Sequence, residues 1–426
     1  MSLRSPPPIL SVRPSRALVD EPFEVSVENL PPGGPVTVRS LHRSEDGDDW
    51  EAYGRYVSDH SGKVSVSEDL SFGGTFSGKQ PMALLWSMRP VPGSRSGLRL
   101  RKLKVTTPML VNISVYRGHN DFRDQTPLAS AVTERWYMAP GVHRVDIRQE
   151  EVQGTLFIPP GPGPFPGVLD IWGGWGGLLE YRSALLASRG FASLTVEYLK
   201  PGELQTDLEF SSFEAAFNIL KDHPKVLSDR VGVLGSSAGS IVTLYLAAES
   251  TAVQPRCVVC ISNANCYPHE SGLSGIQHLL AKKFDKIRLD ENNHEIWRGI
   301  GLALLDDAPY KVDMGKIRSP VLLVNGRDDQ NWPVLETADR MAQVVGAAGK
   351  AHLLYRLDYP NTGHQIEPPF SPHFRATNLA IDGTKDKAIL LWGGETKAHS
   401  EAQEDSWKKI LSFLRQHLYC SPKAKI

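Results

Sequence analysis

The apolar and polar positions change rhythm once along the chain. Up to about residue 135, short stretches alternate residue by residue: Phe23-Glu-Val-Ser-Val-Glu28, Val36-Thr-Val-Arg39, Lys63-Val-Ser-Val66 and Met109-Leu-Val-Asn-Ile-Ser-Val-Tyr116. Turn-forming runs such as Pro31-Pro-Gly-Gly34 and Ser44-Glu-Asp-Gly-Asp-Asp49 separate them. Alternation buries one face of a strand and wets the other, so residues 1–140 are expected to form an antiparallel, all-β sandwich. Met138-Ala-Pro-Gly-Val142 is the expected junction, because Pro and Gly punctuate the change.

Beyond it the strands become continuously apolar. They are Gly167-Val-Leu-Asp-Ile171, Ala192-Ser-Leu-Thr-Val196, Val231-Gly-Val-Leu234, Cys257-Val-Val-Cys-Ile261 and Pro320-Val-Leu-Leu-Val-Asn325. Helical spacing lies between them, over 180–188, 213–221, 240–248 and 335–345. Strands buried on both faces and joined through helices predict a mostly parallel sheet with helices on either side, over 141–426. The closing stretch 402–417, with Trp407, Ile410, Leu411 and Leu414 on one face, is expected as a helix docked on that sheet. The irregular segment 265–315 is expected as a cap over the strand ends.

The 47 basic and 48 acidic side chains nearly cancel, so no field draws the chain to nucleic acid or anionic lipid. No apolar run reaches the length of a membrane span. The first 20 residues lack a signal-peptide core, and Pro6-Pro7-Pro8 prevents the amphipathic helix of a transit peptide. Four cysteines are too few for a secreted disulfide framework. Cys257-Val-Val-Cys260 has no second ligand pair at metal spacing and reads as plain core. A cytoplasmic or peroxisomal place is expected: Ala424-Lys425-Ile426 is a conservative variant of the peroxisomal tripeptide S-K-L.

The candidate chemistry starts at Val231-Gly-Val-Leu-Gly235-Ser-Ser237-Ala-Gly239-Ser240. A strand, a G-x-S-x-G turn and an apolar helix make a nucleophile elbow, which exposes the Ser237 hydroxyl on a sharp turn and implies an α/β hydrolase. A serine hydroxyl needs a base held by an acid, and in such hydrolases the order is Ser, Asp or Glu, then His. Asp328 and Asp329 follow the strand ending at Asn325. His364 follows the next strand in Asp358-Tyr-Pro-Asn-Thr-Gly363-His364. His364 is therefore the candidate base and either aspartate its partner. The oxyanion needs at least two donors. The backbone N–H of Ala238 is one candidate, and Gly173, in the loop Trp172-Gly-Gly-Trp-Gly-Gly177, supplies the other.

The chain resembles the acyl-CoA thioesterases and bile acid-CoA:amino acid N-acyltransferases over nearly its whole length. The segments that carry the resemblance include Tyr137-Met-Ala-Pro-Gly-Val142, Gly176-Gly-Leu-Leu-Glu-Tyr-Arg182, Asp328-Asp-Gln-Asn-Trp332, Gly363-His-Gln-Ile-Glu-Pro-Pro369 and Trp392-Gly-Gly-Glu395. The resemblance implies a β-sandwich joined to an α/β hydrolase, and a triad of Ser237, Asp329 and His364. It also implies an acyl-CoA substrate, with no metal or redox cofactor and coenzyme A entering only as part of the substrate. Two departures stand out. Ser236 replaces the larger apolar residue usual before the nucleophile, and Trp175 stands where the family tends to have glycine. Within the family a cysteine nucleophile favours transfer to glycine or taurine, whereas a serine favours hydrolysis. The expectation is a thioesterase, with amino-acid N-acyltransfer as the alternative and a monomer as the expected state.

Overall fold

The computed structural model describes residues 6–149, 151–174, 177–198, 209–266, 276–306, 311–379 and 388–420. The chain forms two compact units, Met1–Tyr137 with Glu367–His373, and Met138–Ile366 with Phe374–Ile426.

The first unit is β-rich. One sheet orders Arg16–Leu18, Ala129–Trp136, Met109–Arg117, Pro35–Arg43, Asp49–Val57 and Arg89–Pro90; a smaller one holds Ile9–Arg13, Glu24–Glu28 and Val64–Ser65. The alternating pattern acts as expected: Val25 and Val27 are buried, Ser26 between them is half-buried, and Glu24 and Glu28 on either side are exposed. The pairing is not wholly antiparallel. Arg16–Leu18 runs parallel to Glu134–Trp136, because the chain leaves the smaller sheet after Arg13 and enters the larger one at its edge.

The second unit is built on an eight-stranded sheet. Its strands are β1 (His143–Gln149), β2 (Val152–Ile158), β3 (Phe165–Ile171), β4 (Ala192–Val196), β5 (Val226–Ser236), β6 (Val258–Ile261), β7 (Val321–Gly326) and β8 (Leu354–Tyr359). They lie in the order β1-β2-β4-β3-β5-β6-β7-β8. The pairs β1/β2 and β2/β4 are antiparallel and all others parallel. This is the α/β hydrolase sheet. The order reverses beside β3 and β5, and ligands of open α/β sheets bind at the carboxyl ends of strands near such a reversal.

The helices that concern the site are α1 (Tyr181–Ser188), α2 (Phe210–Lys221), α3 (Ala238–Ala248), α4 (Arg298–Asp306), α5 (Val334–Ala347) and α6 (Thr396–Leu418). Helix α3 is apolar nearly all round because it is buried nearly all round. Helix α5 buries Val334, Ala338, Met341 and Val345 at three- and four-residue spacing. Helix α6 buries Ala402, Trp407, Ile410, Leu411 and Leu414, but begins at Thr396, six residues before the apolar stripe predicted it. The early turns bury His399 and Ser400, polar residues that no hydrophobic period reveals. Residues 288–289 and 295–296 of the expected cap join Ala388–Leu391 and Ala376–Leu379 in a small four-stranded sheet. An apolar cluster of Cys266, Leu279, Trp297, Ile300, Leu304, Leu305, Leu390 and Trp392 packs there.

Cys257, Cys260 and Cys266 are buried and Cys420 is exposed. Burial drives the thiols of Cys257 and Cys260 far above the usual range and that of Cys266 to about 11. Thiolate is the reactive form. Native protein is therefore expected to take one iodoacetamide, at Cys420, and denatured protein four; mass spectrometry counts them. Among the described residues no helix is long and apolar enough to cross a membrane, and no group of three or more His, Cys, Asp or Glu could hold a metal ion. Trp175, Gly176 and the tripeptide Ala424-Lys425-Ile426 lie outside the described residues.

Candidate active site

Strand β5 delivers Ser237 to a turn that only strong surroundings can hold. Its backbone sits at φ 52° and ψ −123°, a region serine rarely enters, and α3 begins at the next residue. The turn survives because β3 passes so close. A Cβ at Gly239 would stand 2.4 Å from Ile171 O and 2.6 Å from Trp172 O, so only glycine lets helix and strand approach. The Ser237 N–H donates to Ile261 O at 2.9 Å, fixing the turn to β6 as well.

Two loops bring the partners to it. Asp329 lies just beyond β7 and is 2% exposed; His364 lies beyond β8 and is 3% exposed. The His364 Nε2–Ser237 Oγ distance is 2.9 Å, and the His364 Nδ1–Asp329 Oδ2 distance is 2.6 Å. The other Asp329 oxygen accepts the backbone N–H groups of Asn331 and Trp332, both at 2.8 Å. Those bonds hold the carboxylate in its orientation. With Nδ1–H committed to Asp329, Nε2 carries the lone pair that faces the Ser237 hydroxyl. Hydroxyl, imidazole and carboxylate thus form one hydrogen-bonded line.

Asp328, left open by the chain order alone, is turned elsewhere. Its Oδ2 accepts the Gly394 N–H at 2.7 Å and its Oδ1 the Gln330 amide at 2.7 Å, so it braces the turn after Trp392.

Gly173 comes against the nucleophile. A Cβ there would lie 2.8 Å from Ser237 Cβ and 3.1 Å from Ser236 O. Ala238 opens α3, so its N–H is one of the first-turn amides that no helical carbonyl takes up. The carbonyl of Trp172, next to Gly173, accepts the hydroxyl of Tyr198, a group that burial pushes above its ordinary range. Replacing Gly173 by alanine is expected to push this loop away and lower kcat by roughly 10²-fold, the size of one lost oxyanion donor. Steady-state kinetics on the variant checks it; an unchanged kcat would remove Gly173 from the site.

Residues 20–149 match the family described as "Acyl-CoA thioester hydrolase/BAAT N-terminal region", and residues 206–420 match "BAAT / Acyl-CoA thioester hydrolase C terminal". The chain belongs to the BAAT / acyl-CoA thioester hydrolase family. The Mus musculus "Peroxisomal succinyl-coenzyme A thioesterase" is 38% identical over 431 residues, 96% of this chain and 96% of that protein. The Homo sapiens "Acyl-coenzyme A thioesterase 1" is 34% identical over 416 residues, 95% of each chain. Among solved structures, a novel thermophilic esterase from Thermogutta terrifontis covers 67% of this chain and 96% of its own at 14% identity and a TM-score of 0.41.

Three parts of this family member's site were given no role by the sequence alone. Trp392 stacks beside His364, ring centroids 5.5 Å apart and planes 18° from parallel, and donates its Nε1–H to Thr377 Oγ1 at 2.8 Å. Arg182 on α1 is buried with Asp170 of β3: Nε donates to Asp170 Oδ1 at 2.8 Å, and the guanidinium lies 3.9 Å over the Trp172 ring. Burial pushes the Asp170 carboxyl up, and the Arg182 charge opposes that. Arg182 Nη1 also reaches Ser236 Oγ at 3.3 Å, so the serine in place of an apolar residue gives this buried cation a further partner. The third part, His399, is taken up below. A lone Asp inside an apolar strand was the signal available for the ion pair: Asp170 interrupts Gly167–Ile171 and needs a buried partner.

Proposed function

We propose that this protein is a serine-dependent acyl-CoA thioesterase working through Ser237, His364 and Asp329. The observation that carries the proposal is the continuous line Ser237 Oγ–His364 Nε2–His364 Nδ1–Asp329 Oδ2, at 2.9 and 2.6 Å, in a member of this family. His364 Nε2 takes the Ser237 proton as Oγ attacks the thioester carbonyl. The C–S bond breaks, the thiol of coenzyme A leaves with the proton held by His364, and an acyl-serine remains. Water then gives its proton to Nε2, attacks the acyl carbonyl and releases the free acid, restoring the Ser237 hydroxyl. Asp329 steadies the imidazolium in both halves. The Ala238 N–H and the Gly173 loop would hold the oxyanion. No metal or redox group enters this scheme.

Serine supports hydrolysis over amide formation, because an oxoester is less reactive toward amines than a thioester. The test supplies acyl-CoA together with glycine or taurine, and follows thiol release against conjugate formation. Free acid is expected to account for essentially all the thiol released. Conjugate outrunning free acid would make the protein an acyltransferase instead.

A further inference from the structure

We propose that His399 is a positioning residue that sets the backbone on which His364 is carried; this rests on the catalytic reading of Ser237 and His364 above. Asp329 steers the imidazole from its Nδ1 side. It does nothing for the peptide units that decide where the ring starts. Those units, Gly363 to Gln365, belong to neither helix nor strand. A loop of this kind opens more readily than the sheet around it unless its backbone groups are tied down.

Among the hydrogen bonds that tie it are four from outside the loop. His364 N–H donates to Trp392 O at 3.0 Å, and the Ser262 hydroxyl donates to His364 O at 2.5 Å. The other two come from one side chain. The Gly363 N–H donates to His399 Nδ1 at 3.1 Å, and His399 Nε2 donates to Gln365 O at 2.8 Å. One imidazole therefore bridges backbone groups of the two residues that flank His364, one on each side. An N–H faces Nδ1, so Nδ1 must be the acceptor and the ring proton must sit on Nε2, where the Gln365 carbonyl takes it. The neutral ring in that single tautomer satisfies both contacts.

The bridge stands on a rigid element. His399 lies in the early part of α6, with its own N–H bonded to Glu395 O at 2.8 Å. It is 1% exposed, and the later turns of α6 bury Trp407, Ile410 and Leu414. The position of His364 is thus referred to a packed helix as well as to the strand it follows. A side chain that reaches through a sharp distance requirement is sensitive here: a shift of about 1 Å in a reacting group costs on the order of 10²-fold in rate.

The experiment uses full-length protein and two readouts. One is the second-order rate at which a fluorophosphonate labels Ser237, a reaction in which Ser237 Oγ displaces fluoride from phosphorus and His364 takes the proton. The other is thioester turnover, resolved into kcat and KM, with both rates normalised to folded protein by near-ultraviolet circular dichroism. His399→Ala is expected to lower the labelling rate and kcat together, by at least tenfold, with KM within twofold of wild type. His399→Asn can keep the bond from Gly363 through Oδ1, and His399→Gln can keep the bond to Gln365 through Nε2. Both are expected to fall between wild type and alanine, and they keep the test available if the alanine variant does not fold. Variants that melt lower but label Ser237 at the wild-type rate would overturn the proposal, reducing His399 to a packing residue. A wild-type chain labelled at Ser237 but inactive toward thioesters would remove the thioesterase reading and leave the His399 comparison intact. A wild-type chain not labelled at Ser237 would overturn both.

Discussion

Ser237→Ala is expected to lower thioester turnover by roughly 10⁴- to 10⁶-fold, the range seen when a triad nucleophile is removed. The expectation follows from position. Ser237 is the group that places a hydroxyl 2.9 Å from His364 Nε2, at the end of β5 and in reach of the Gly173 loop. Without it, His364 could at most activate water directly at a carbonyl no longer held by a covalent bond. The substitution leaves the backbone demand unchanged, since alanine at φ 52° is strained much as serine is. The melting temperature should therefore stay within a few degrees, and circular dichroism with a free-thiol assay reads both quantities. Activity within tenfold of wild type would move the chemistry elsewhere.

The second large effect separates the two neighbouring aspartates. Asp329→Asn should cost on the order of 10⁴-fold in kcat. An amide at that place can offer its NH₂ to Nδ1, which stabilises the tautomer with its proton on Nε2 and leaves nothing to accept from Ser237. It also removes the negative charge that favours the imidazolium. Asp328→Asn should cost less than tenfold. Its oxygens serve the Gly394 N–H and the Gln330 amide, so the loss falls on stability, about 1–2 kcal/mol for weakened charge-assisted bonds. Parallel kinetics and denaturant melts on the two variants give the ranking. The reverse order would mean that Asp328 is the acid of the triad.

Sequence and structure agree most closely where periodicity or a fixed order carries the information. Unalternating strands such as Val258–Ile261 and Val321–Gly326 announce a sheet covered on both faces, and they lie side by side in it. Ser237, Asp329 and His364 were legible as candidates because they follow the ends of β5, β7 and β8 in a required order. Choosing between Asp328 and Asp329 was beyond spacing, since adjacent residues point apart and only their hydrogen bonds tell which way. The beginning of α6 was hidden for a related reason. An apolar stripe reports packing against the sheet, and His399 is buried by hydrogen bonding to a loop. The small sheet of 376–379 and 388–391 with the 288–296 hairpin depends on pairing across roughly ninety residues, which no local pattern encodes.

The central claim is that the acyl group passes onto Ser237. Rapid mixing with acyl-CoA labelled in its acyl chain, an acid quench within the first turnovers, and peptide mapping by mass spectrometry test it most directly. The label is expected as an ester on the peptide carrying Ser237, formed in step with release of the first equivalent of coenzyme A and absent from Ser237→Ala. Label on any other residue, or steady thiol release from Ser237→Ala at the wild-type rate, would contradict it.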